Sequence, residues 1–124
     1  MQDDKNFTRL EKNIAKKLTR GQKPIEAVLD LHGMTQEKAH TALVKFIHNS
    51  RKAGFRHVIV VTGKGKSAPE DPYRQHGQMG ILRAKLPVWL SQPDLKPSIV
   101  AYQQAAQHHG GSGAFYVHIK RLDR

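Results

Sequence analysis

The 124-residue sequence predicts one α/β domain, a two-layer sandwich with element order βαβαββ and a four-stranded mixed sheet. Three observations predict this fold class. Short strand-like runs alternate with longer segments whose apolar residues have helical spacing. A chain of this length can bury one hydrophobic core, but not two of useful size. Strands joined through a helix run parallel, and right-handed crossovers place both helices on one face of the sheet.

Residues 1–24 are predicted to form a basic N-terminal extension, and residues 25–124 form the domain. The apolar residues that recur at helical spacing in the extension are Phe7, Leu10, Ile14 and Leu18. This spacing predicts an amphipathic helix, and Gly21 suits the position just past its end. We expect this helix to pack on the domain or on a missing partner domain, in preference to anchoring the protein in a membrane.

The first strand is predicted at residues 25–31. The first helix of the domain follows, with Thr35 as its N-cap, and it runs until Gly54. Its apolar face comprises Ala39, Ala42, Leu43, Phe46 and Ile47. Lys38, Lys45 and Lys52 lie on the other side. They fit a solvated face, which we favour, or contact with a phosphate backbone.

The continuous β-branched run at residues 58–61 is typical of a strand in the middle of a sheet. Residues 66–78 contain two prolines and one glycine among mixed charges, which predicts a long loop of the kind that often carries function. A helix is predicted over residues 79–90, with a kink or restart at Pro87, because proline lacks a backbone donor. The last two strands are predicted at residues 99–102 and 114–121.

The composition favours a polyanionic partner. Lys and Arg number 21 against 10 Asp and Glu, which gives a formal charge of +11. Such a charge favours nucleic acid as the partner, with a membrane surface or generic solubility as the alternative explanations. The absence of cysteine excludes disulfides and cysteine-ligated zinc, and no apolar run approaches the roughly 18 residues of a membrane span. We therefore expect a cytoplasmic protein that binds no membrane, and we favour a monomer.

A carboxylate and an imidazole stand two residues apart at the end of the first strand. Residues i and i+2 of a strand share a face, so Asp30 and His32 lie on one side while Leu29 and Leu31 lie on the other. Histidine exchanges protons near neutral pH, and a neighbouring carboxylate orients the ring or stabilises its cation. The sequence therefore predicts that Asp30 and His32 are a catalytic pair.

Two glycine-rich basic segments, residues 62–66 and 108–113, each follow a strand-like run. Ligands of open α/β sheets bind where parallel strands end, so we place one phosphate-binding site at that edge. Glycine lets backbone N–H groups approach an anion closely, and lysines add charge. A tight turn or a flexible hairpin connection is the alternative interpretation. The predicted phosphate-binding residues are Gly63, Lys64, Gly65, Lys66, His109, Gly110, Gly111 and Gly113.

A nucleotide-binding P-loop is rejected. Gly65, Lys66 and Ser67 match the end of that pattern, but the pattern requires a glycine where this chain has Val60. It also requires a helix after the serine, where the sequence continues Ala-Pro-Glu-Asp-Pro. The glycines and lysines of this segment therefore indicate a phosphate contact of a more general kind.

Together these segments resemble the Smr (small MutS-related) domain, over about residues 25–121, and small stand-alone bacterial Smr proteins in particular. The matching segments are Leu29-Asp30-Leu31-His32-Gly33-Met34-Thr35, Thr62-Gly63-Lys64-Gly65, Gly80-Ile81-Leu82-Arg83, Trp89-Leu90 and His109-Gly110-Gly111-Ser112-Gly113-Ala114. The resemblance implies a sheet like that of the C-terminal domain of translation initiation factor three, and cleavage or nicking of RNA or DNA. It associates Asp30 and His32 with cleavage. It associates Gly63, Lys64 and Gly65 with nucleic-acid contact, to which we add Arg83.

We expect an endonuclease that acts on RNA or DNA, with ribosome association as a further expectation. On RNA, His32 would deprotonate the 2′-hydroxyl without a cofactor. On DNA, a water must be activated, and Asp30 with His32 or His109 would hold Mg²⁺. One carboxylate is a thin ligand set for magnesium, so metal-independent RNA cleavage is favoured.

Two alternatives to an endonuclease remain. The first is a binding module without catalysis, in which Asp30 only caps the helix start or pairs with His32. The second is a small-molecule phosphoesterase, which the dispersed positive charge disfavours because a compact substrate does not need it.

Overall fold

The computed structural model describes residues 16–17, 24–63, 76–106 and 111–122. Its elements are β1 (Ala27–Asp30), α1 (Gln36–Ala53), β2 (His57–Val61), α2 (His76–Leu90), β3 (Ile99–Gln104) and β4 (Ala114–Ile119). Short 3₁₀ turns, Lys96–Ser98 and Gly111–Gly113, precede β3 and β4. The predicted order βαβαββ is confirmed. The predicted N-terminal helix lies outside the described residues apart from Lys16 and Lys17, which are helical and exposed.

The four strands form one mixed sheet in the order β1-β2-β4-β3. β1 pairs parallel with β2, and β4 runs antiparallel to both β2 and β3. β1, β2 and β3 therefore point the same way, as predicted. The C-terminal ends of β1 and β2 meet the N-terminal end of β4, because Val61 pairs with Asp30 on one side and with Ala114 on the other.

Both helices pack on one face of the sheet. The main core joins residues of α1 and α2, such as Leu43 and Leu86, to Val58 and Val60 of β2 and to Val117 of β4. Each such aliphatic side chain contributes about 1.5–3 kcal/mol to folding when fully buried. The opposite face carries a small cluster of Ile59, Ala105, Ala114 and Tyr116. Val28 of β1 is 61% exposed on that face, so the sheet is covered incompletely there.

Helix α1 has the ends that the sequence predicts. Thr35 adopts an extended conformation, and its side-chain oxygen accepts the backbone N–H of Lys38 at 3.2 Å. Gly54 closes the helix in the left-handed region at φ 87°, and its N–H binds carbonyl oxygens of the last turn. A hydroxyl cap at one end and a glycine at the other satisfy backbone groups that a helix leaves unpaired.

Helix α2 differs from the prediction in two respects. It begins at His76, three residues before the predicted start, so the predicted loop is wrong for residues 76–78, and its residues 66–75 lie outside the described chain. The helix also continues through Pro87 to Leu90, so the expected restart is wrong. A proline so close to the C-terminal end removes one backbone hydrogen bond and leaves only three residues to follow.

Within these described ranges, none of the helices combines the length and the apolar character that crossing a bilayer requires.

Candidate active site

Asp30 and His32 form a hydrogen-bonded pair at the end of β1. The ring nitrogen Nδ1 of His32 lies 2.6 Å from Oδ1 of Asp30, and the backbone N–H of His32 donates to the same oxygen at 3.0 Å. The two side chains are 51% and 59% exposed, respectively. Leu31 between them is fully buried in the core, as the predicted separation of faces requires. Solvent and a substrate can therefore reach both groups.

Asp30 and His32 are brought together by a turn that follows β1. The alternation of side chains along a longer strand, which the sequence predicted, is not the cause. β1 ends at Asp30, one residue before its predicted end, and His32 belongs to a turn. Aspartate side chains bind the N–H two residues ahead and so compete with strand pairing. The N–H of Leu31 still donates to the carbonyl of Val61 at 2.7 Å, so the turn begins directly at the sheet edge.

The pair defines which nitrogen of His32 carries a proton. An ionised carboxylate can only accept hydrogen bonds, so Nδ1 of His32 must donate its N–H to Asp30. In the neutral ring, Nε2 then keeps its lone pair and can take a proton from a reacting group. This is the arrangement in which a carboxylate orients a histidine base and stabilises its cation.

Asp30 is held in its ionised form. Burial raises the pKa of Asp30, but the hydrogen bonds from the ring and backbone of His32, together with the attraction of the His32 charge, outweigh it. The net pKa of Asp30 lies below its ordinary value. The carboxylate is therefore available as an acceptor at neutral pH.

The described parts of both glycine-rich segments lie next to this pair. A Cβ built on Gly63 would be 3.6 Å from Cβ of His32, which shows that the turn after β2 lies against the imidazole residue. The N–H groups of Thr62 and Gly63 both donate to the carbonyl of Gly113, at 2.8 and 3.0 Å. Asp30, His32, Gly63 and Gly113 thus meet at one edge of the sheet.

Two of the predicted phosphate-binding glycines use their N–H groups inside the protein. The N–H of Gly63 binds Gly113, and that of Gly111 donates to the carbonyl of Ala106 at 2.9 Å. Both glycines have positive φ, 91° and 55°, a region that side chains disfavour. The N–H groups of these two glycines therefore serve structural turns, as the alternative interpretation predicted. The absence of a side chain at both positions still allows a substrate to approach the backbone closely.

Thr62 joins the two segments, which the sequence analysis did not anticipate. Thr62 is 3% exposed. Its hydroxyl lies within hydrogen-bond distance of two carbonyl oxygens, that of Gly63 at 3.1 Å and that of Gly113 at 3.4 Å. A hydroxyl residue directly after a buried strand and before a glycine was the available signal. Its role is to hold the glycine turn in place beside His32.

The described chain does not test the placement of five of the remaining predicted residues and shows no contact of the sixth with the pair. Lys64, Gly65, Lys66, His109 and Gly110 lie outside the described residues. Arg83 is exposed about 10 Å along α2 from its first residue, and none of the described contacts joins it to Asp30 or His32. These six residues stay predictions.

The pair supplies few ligands for a metal ion. Asp30 and His32 supply one carboxylate and one imidazole, whereas hard divalent cations take six or more oxygen ligands, including water. In the part of the chain that the structure describes, no three His, Cys, Asp or Glu side chains are grouped as metal ligands.

Comparison with known proteins identifies the family. The model of the Smr domain matches residues 29–120, from the Leu before Asp30 to the end of β4. The chain belongs to the Smr domain family. The Smr match therefore spans Asp30, His32, both glycine turns and all of the sheet except the first two residues of β1.

Several Smr relatives are similar over most of this chain. The chain is 34% identical over 106 residues to the "Ribosome rescue factor SmrB" of Tolumonas auensis, covering 86% of this chain and 52% of that protein. It is 30% identical over 112 residues to the "Probable DNA endonuclease SmrA" of Escherichia coli, covering 90% and 54%. The chain therefore spans about half the length of the curated relatives it matches.

A solved Smr structure supports the fold. The stand-alone small MutS-related protein YdaL from Escherichia coli superposes with a TM-score of 0.62 at 28% identity, over 86% of this chain and 75% of that one. The mixed α/β sandwich that the Smr resemblance implied is thereby confirmed.

Proposed function

We propose that the protein is an endonuclease that cleaves RNA at the Asp30–His32 pair without a metal ion. The observation that carries the proposal is the 2.6 Å contact between His32 Nδ1 and Asp30 Oδ1 on an exposed edge of the sheet. The contact prepares Nε2 of His32 to accept a proton. Gly63 carries no side chain next to His32, which favours the close approach of a phosphate.

The reaction follows from this geometry. Nε2 of His32 takes the proton of a ribose 2′-hydroxyl, and the 2′-oxygen attacks the adjacent phosphorus. The bond from phosphorus to the 5′-oxygen breaks, and that oxygen receives a proton from the imidazolium or from water. The products are a 2′,3′-cyclic phosphate and a 5′-hydroxyl. Asp30 stabilises the imidazolium between the two proton transfers.

The charge that develops on the phosphate oxygens needs cations nearby. We assign this role to Lys64, Lys66 and His109, which flank the described glycine turns in sequence. Arg83 on α2 is assigned to the neighbouring backbone. The net charge of +11 favours the approach of any nucleic acid to this edge.

The names of the relatives support a nucleic-acid substrate and suggest that the protein encounters it at the ribosome. One is named a ribosome rescue factor and another a probable DNA endonuclease. We therefore propose RNA at the ribosome as the substrate, which would place the protein in the cytoplasm. Sedimentation of the protein with ribosomes tests this association. DNA nicking is the second candidate reaction, because of the name of the second relative.

A cleavage assay tests the proposal. Labelled single-stranded RNA and supercoiled plasmid are incubated with the wild-type protein, with and without EDTA. We expect RNA to be cut equally in both conditions, and Asp30→Ala and His32→Ala to abolish cutting. His48→Ala, which removes an exposed histidine of α1, is the matched control and should cut normally. Cutting that survives in both variants of the pair contradicts the proposal.

One observation favours a different function, that of a binding module. Oδ1 of Asp30 accepts the backbone N–H of His32 as well as its ring, which is a bond that a purely structural turn also makes. The same assay separates the two functions. RNA that is bound but never cut by the wild-type protein supports the binding module.

A further inference from the structure

A basic groove lies at the rim of the sheet opposite the Asp30–His32 pair. Its charged lining residues are Arg51, Lys52, Arg56, Lys120 and Arg121, and its apolar ones include Phe55 and Leu122. α1 ends, β2 begins and β4 ends at this rim, as the pairing of His57 with His118 shows. From Arg56 to Gly63 the chain advances seven residues along β2, which is about 23 Å at about 3.3 Å per residue.

The protein holds one of the groove's guanidinium groups with three hydrogen bonds. Nε of Arg51 donates to the carbonyl of Lys120 at 3.0 Å, Nη2 to the carbonyl of Arg121 at 3.0 Å, and Nη1 to the hydroxyl of Ser98 at 3.1 Å. A guanidinium carries five N–H donors, so two remain for another partner. The charge is fixed in place before anything binds.

Arg56 is fixed in a similar way. Its Nε donates to the carbonyl of Ile119 at 3.1 Å, and its Nη2 lies 3.4 Å from Nε2 of His118. Backbone carbonyls hold both arginines without neutralising them. Fixed cations lose less side-chain freedom on binding than mobile ones do, so they favour a specific anion contact.

The charge of the groove is largely uncompensated. None of the described residues that line it is acidic. Glu26 accepts the backbone N–H groups of Arg56 and His57, at 2.5 and 2.9 Å, and so offsets one of the five cations. The C-terminal end of α1 contributes about half a negative charge, which is also too small to cancel the rest.

We infer that this groove is a second binding site for the sugar-phosphate backbone of the nucleic acid that the Asp30–His32 pair cleaves. The inference rests on the proposed function for the identity of the ligand. A stacked strand advances about 3.4 Å per nucleotide, so about seven nucleotides separate the two rims. RNA that extends past the cut by this length engages both rims.

A purely structural role explains only part of the groove. Arg51 and Arg56 also hold the end of β4 in place, and their removal would disturb folding. Lys52, Lys120 and Arg121 are exposed, and stability alone does not require three further cations at the same rim. The test therefore uses the exposed residues.

The experiment compares charge-matched double variants. Lys52→Gln/Arg121→Gln removes two charges from the groove, and Lys45→Gln/Lys85→Gln removes two from exposed positions of α1 and α2. Lys52→Arg/Arg121→Lys keeps the charge of the groove. Each is combined with His32→Ala so that RNA remains uncut. Binding of a 24-nucleotide RNA and a 24-base-pair DNA is measured by fluorescence anisotropy over a range of salt concentrations.

The slope of log K against log salt reports the number of phosphate contacts. We expect the groove variant to reduce the magnitude of this slope on RNA by about 1.4, because it loses two contacts at about 0.7 each in a single strand. The control and the charge-keeping variant should match the parent. A reduction of the slope that is confined to duplex DNA, at about 0.9 per lost contact, would instead identify DNA as the ligand of the groove. Equal slopes for the groove and control variants on both nucleic acids overturn the inference.

A further arm of the same experiment tests whether the groove binds an anionic membrane. Vesicles that contain phosphatidylserine replace the nucleic acid. If the groove variant loses vesicle binding but keeps both nucleic-acid slopes, the groove binds lipid headgroups and the inference is wrong. Unchanged vesicle binding together with a lower RNA slope supports it.

Failure of this inference is distinguishable from failure of the proposed function. If the wild-type protein never cuts RNA but the groove variant has a smaller salt slope, the groove inference is supported and the proposed nuclease function is wrong. Cutting by the wild-type protein, with equal slopes for the groove and control variants, leaves the nuclease and removes the groove.

Discussion

Gly63 lies directly against His32, with 3.6 Å between the Cβ of His32 and the position that a Cβ on Gly63 would occupy. The two residues lie in the turns that follow β1 and β2, 31 positions apart in the sequence. Their contact is the point at which the chemical group and the proposed phosphate turn become one site. Thr62 and Gly113 hold the turn there through hydrogen bonds.

Gly63→Ala should lower both stability and cleavage. The added methyl group has ordinary contact distance to His32, but φ of 91° is unfavourable for alanine and costs about 1–2 kcal/mol. Gly54→Ala, at φ 87° with open space around it, carries a similar backbone cost. Urea unfolding should show similar losses for both variants. Cleavage per folded molecule should fall more for Gly63→Ala, and equal cleavage would show that the turn does not position His32.

Asp30→Asn tests the charge of the pair separately from its shape. The amide oxygen can still accept the N–H groups of His32, so the turn should persist, but the imidazolium loses its stabilising charge. We expect RNA binding to be retained and kcat to fall by about 100-fold or more. Single-turnover kinetics with anisotropy binding measures both. Full activity in Asp30→Asn would reduce Asp30 to a structural turn residue.

Two carboxylates with lowered pKa predict sensitivity to acid. Burial raises the pKa of Glu26, but hydrogen bonds from the N–H groups of Arg56 and His57, and the charges of His57 and Arg56, lower it below the ordinary 4.5. Asp30 lies below its ordinary 3.8 for the reasons given above. A lowered folded-state pKa stabilises the protein above the ordinary value, and this contribution disappears as the pH falls through the folded-state value.

The stability difference between the wild type and Glu26→Gln/Asp30→Asn should therefore be present at pH 7, begin to decline near the ordinary pKa values of 4.5 and 3.8, and disappear as the pH falls through the lower folded-state values. Both side chains are largely exposed, so each contribution is no more than about 1 kcal/mol. Urea titrations of the two proteins from pH 7 to pH 3 measure it. A difference that grows on acidification contradicts the assignment.

Local sequence signals were sufficient for much of this fold. Thr35 and Gly54 predicted both ends of α1, because caps act on adjacent backbone groups. The alternation around Asp30 predicted which side chains are buried, even though a turn and not a longer strand makes the pair. The β-branched run of β2 predicted a central strand, and β2 indeed lies between β1 and β4.

Other features depend on distant contacts and were not predictable in this way. Glycine and proline near α2 suggested a late start and a break, yet packing of residues such as Leu82 and Leu86 in the core sustains a longer helix. Nothing local placed β4 between β2 and β3. The clustering of Arg51 with Lys120 and Arg121 requires a helix end and a strand end 69 and 70 positions apart in sequence.

The chemical origin of the nucleophile tests the central claim most directly. An RNA with a mapped cut is compared, in EDTA, with the same RNA carrying a single 2′-deoxy nucleotide on the 5′ side of the cut. If His32 activates the 2′-hydroxyl, the deoxy substrate is bound equally well but cut about 100-fold more slowly or not at all, and the RNA product ends in a 2′,3′-cyclic phosphate. Equal cutting of both substrates would mean that water attacks the phosphorus, and would contradict the account.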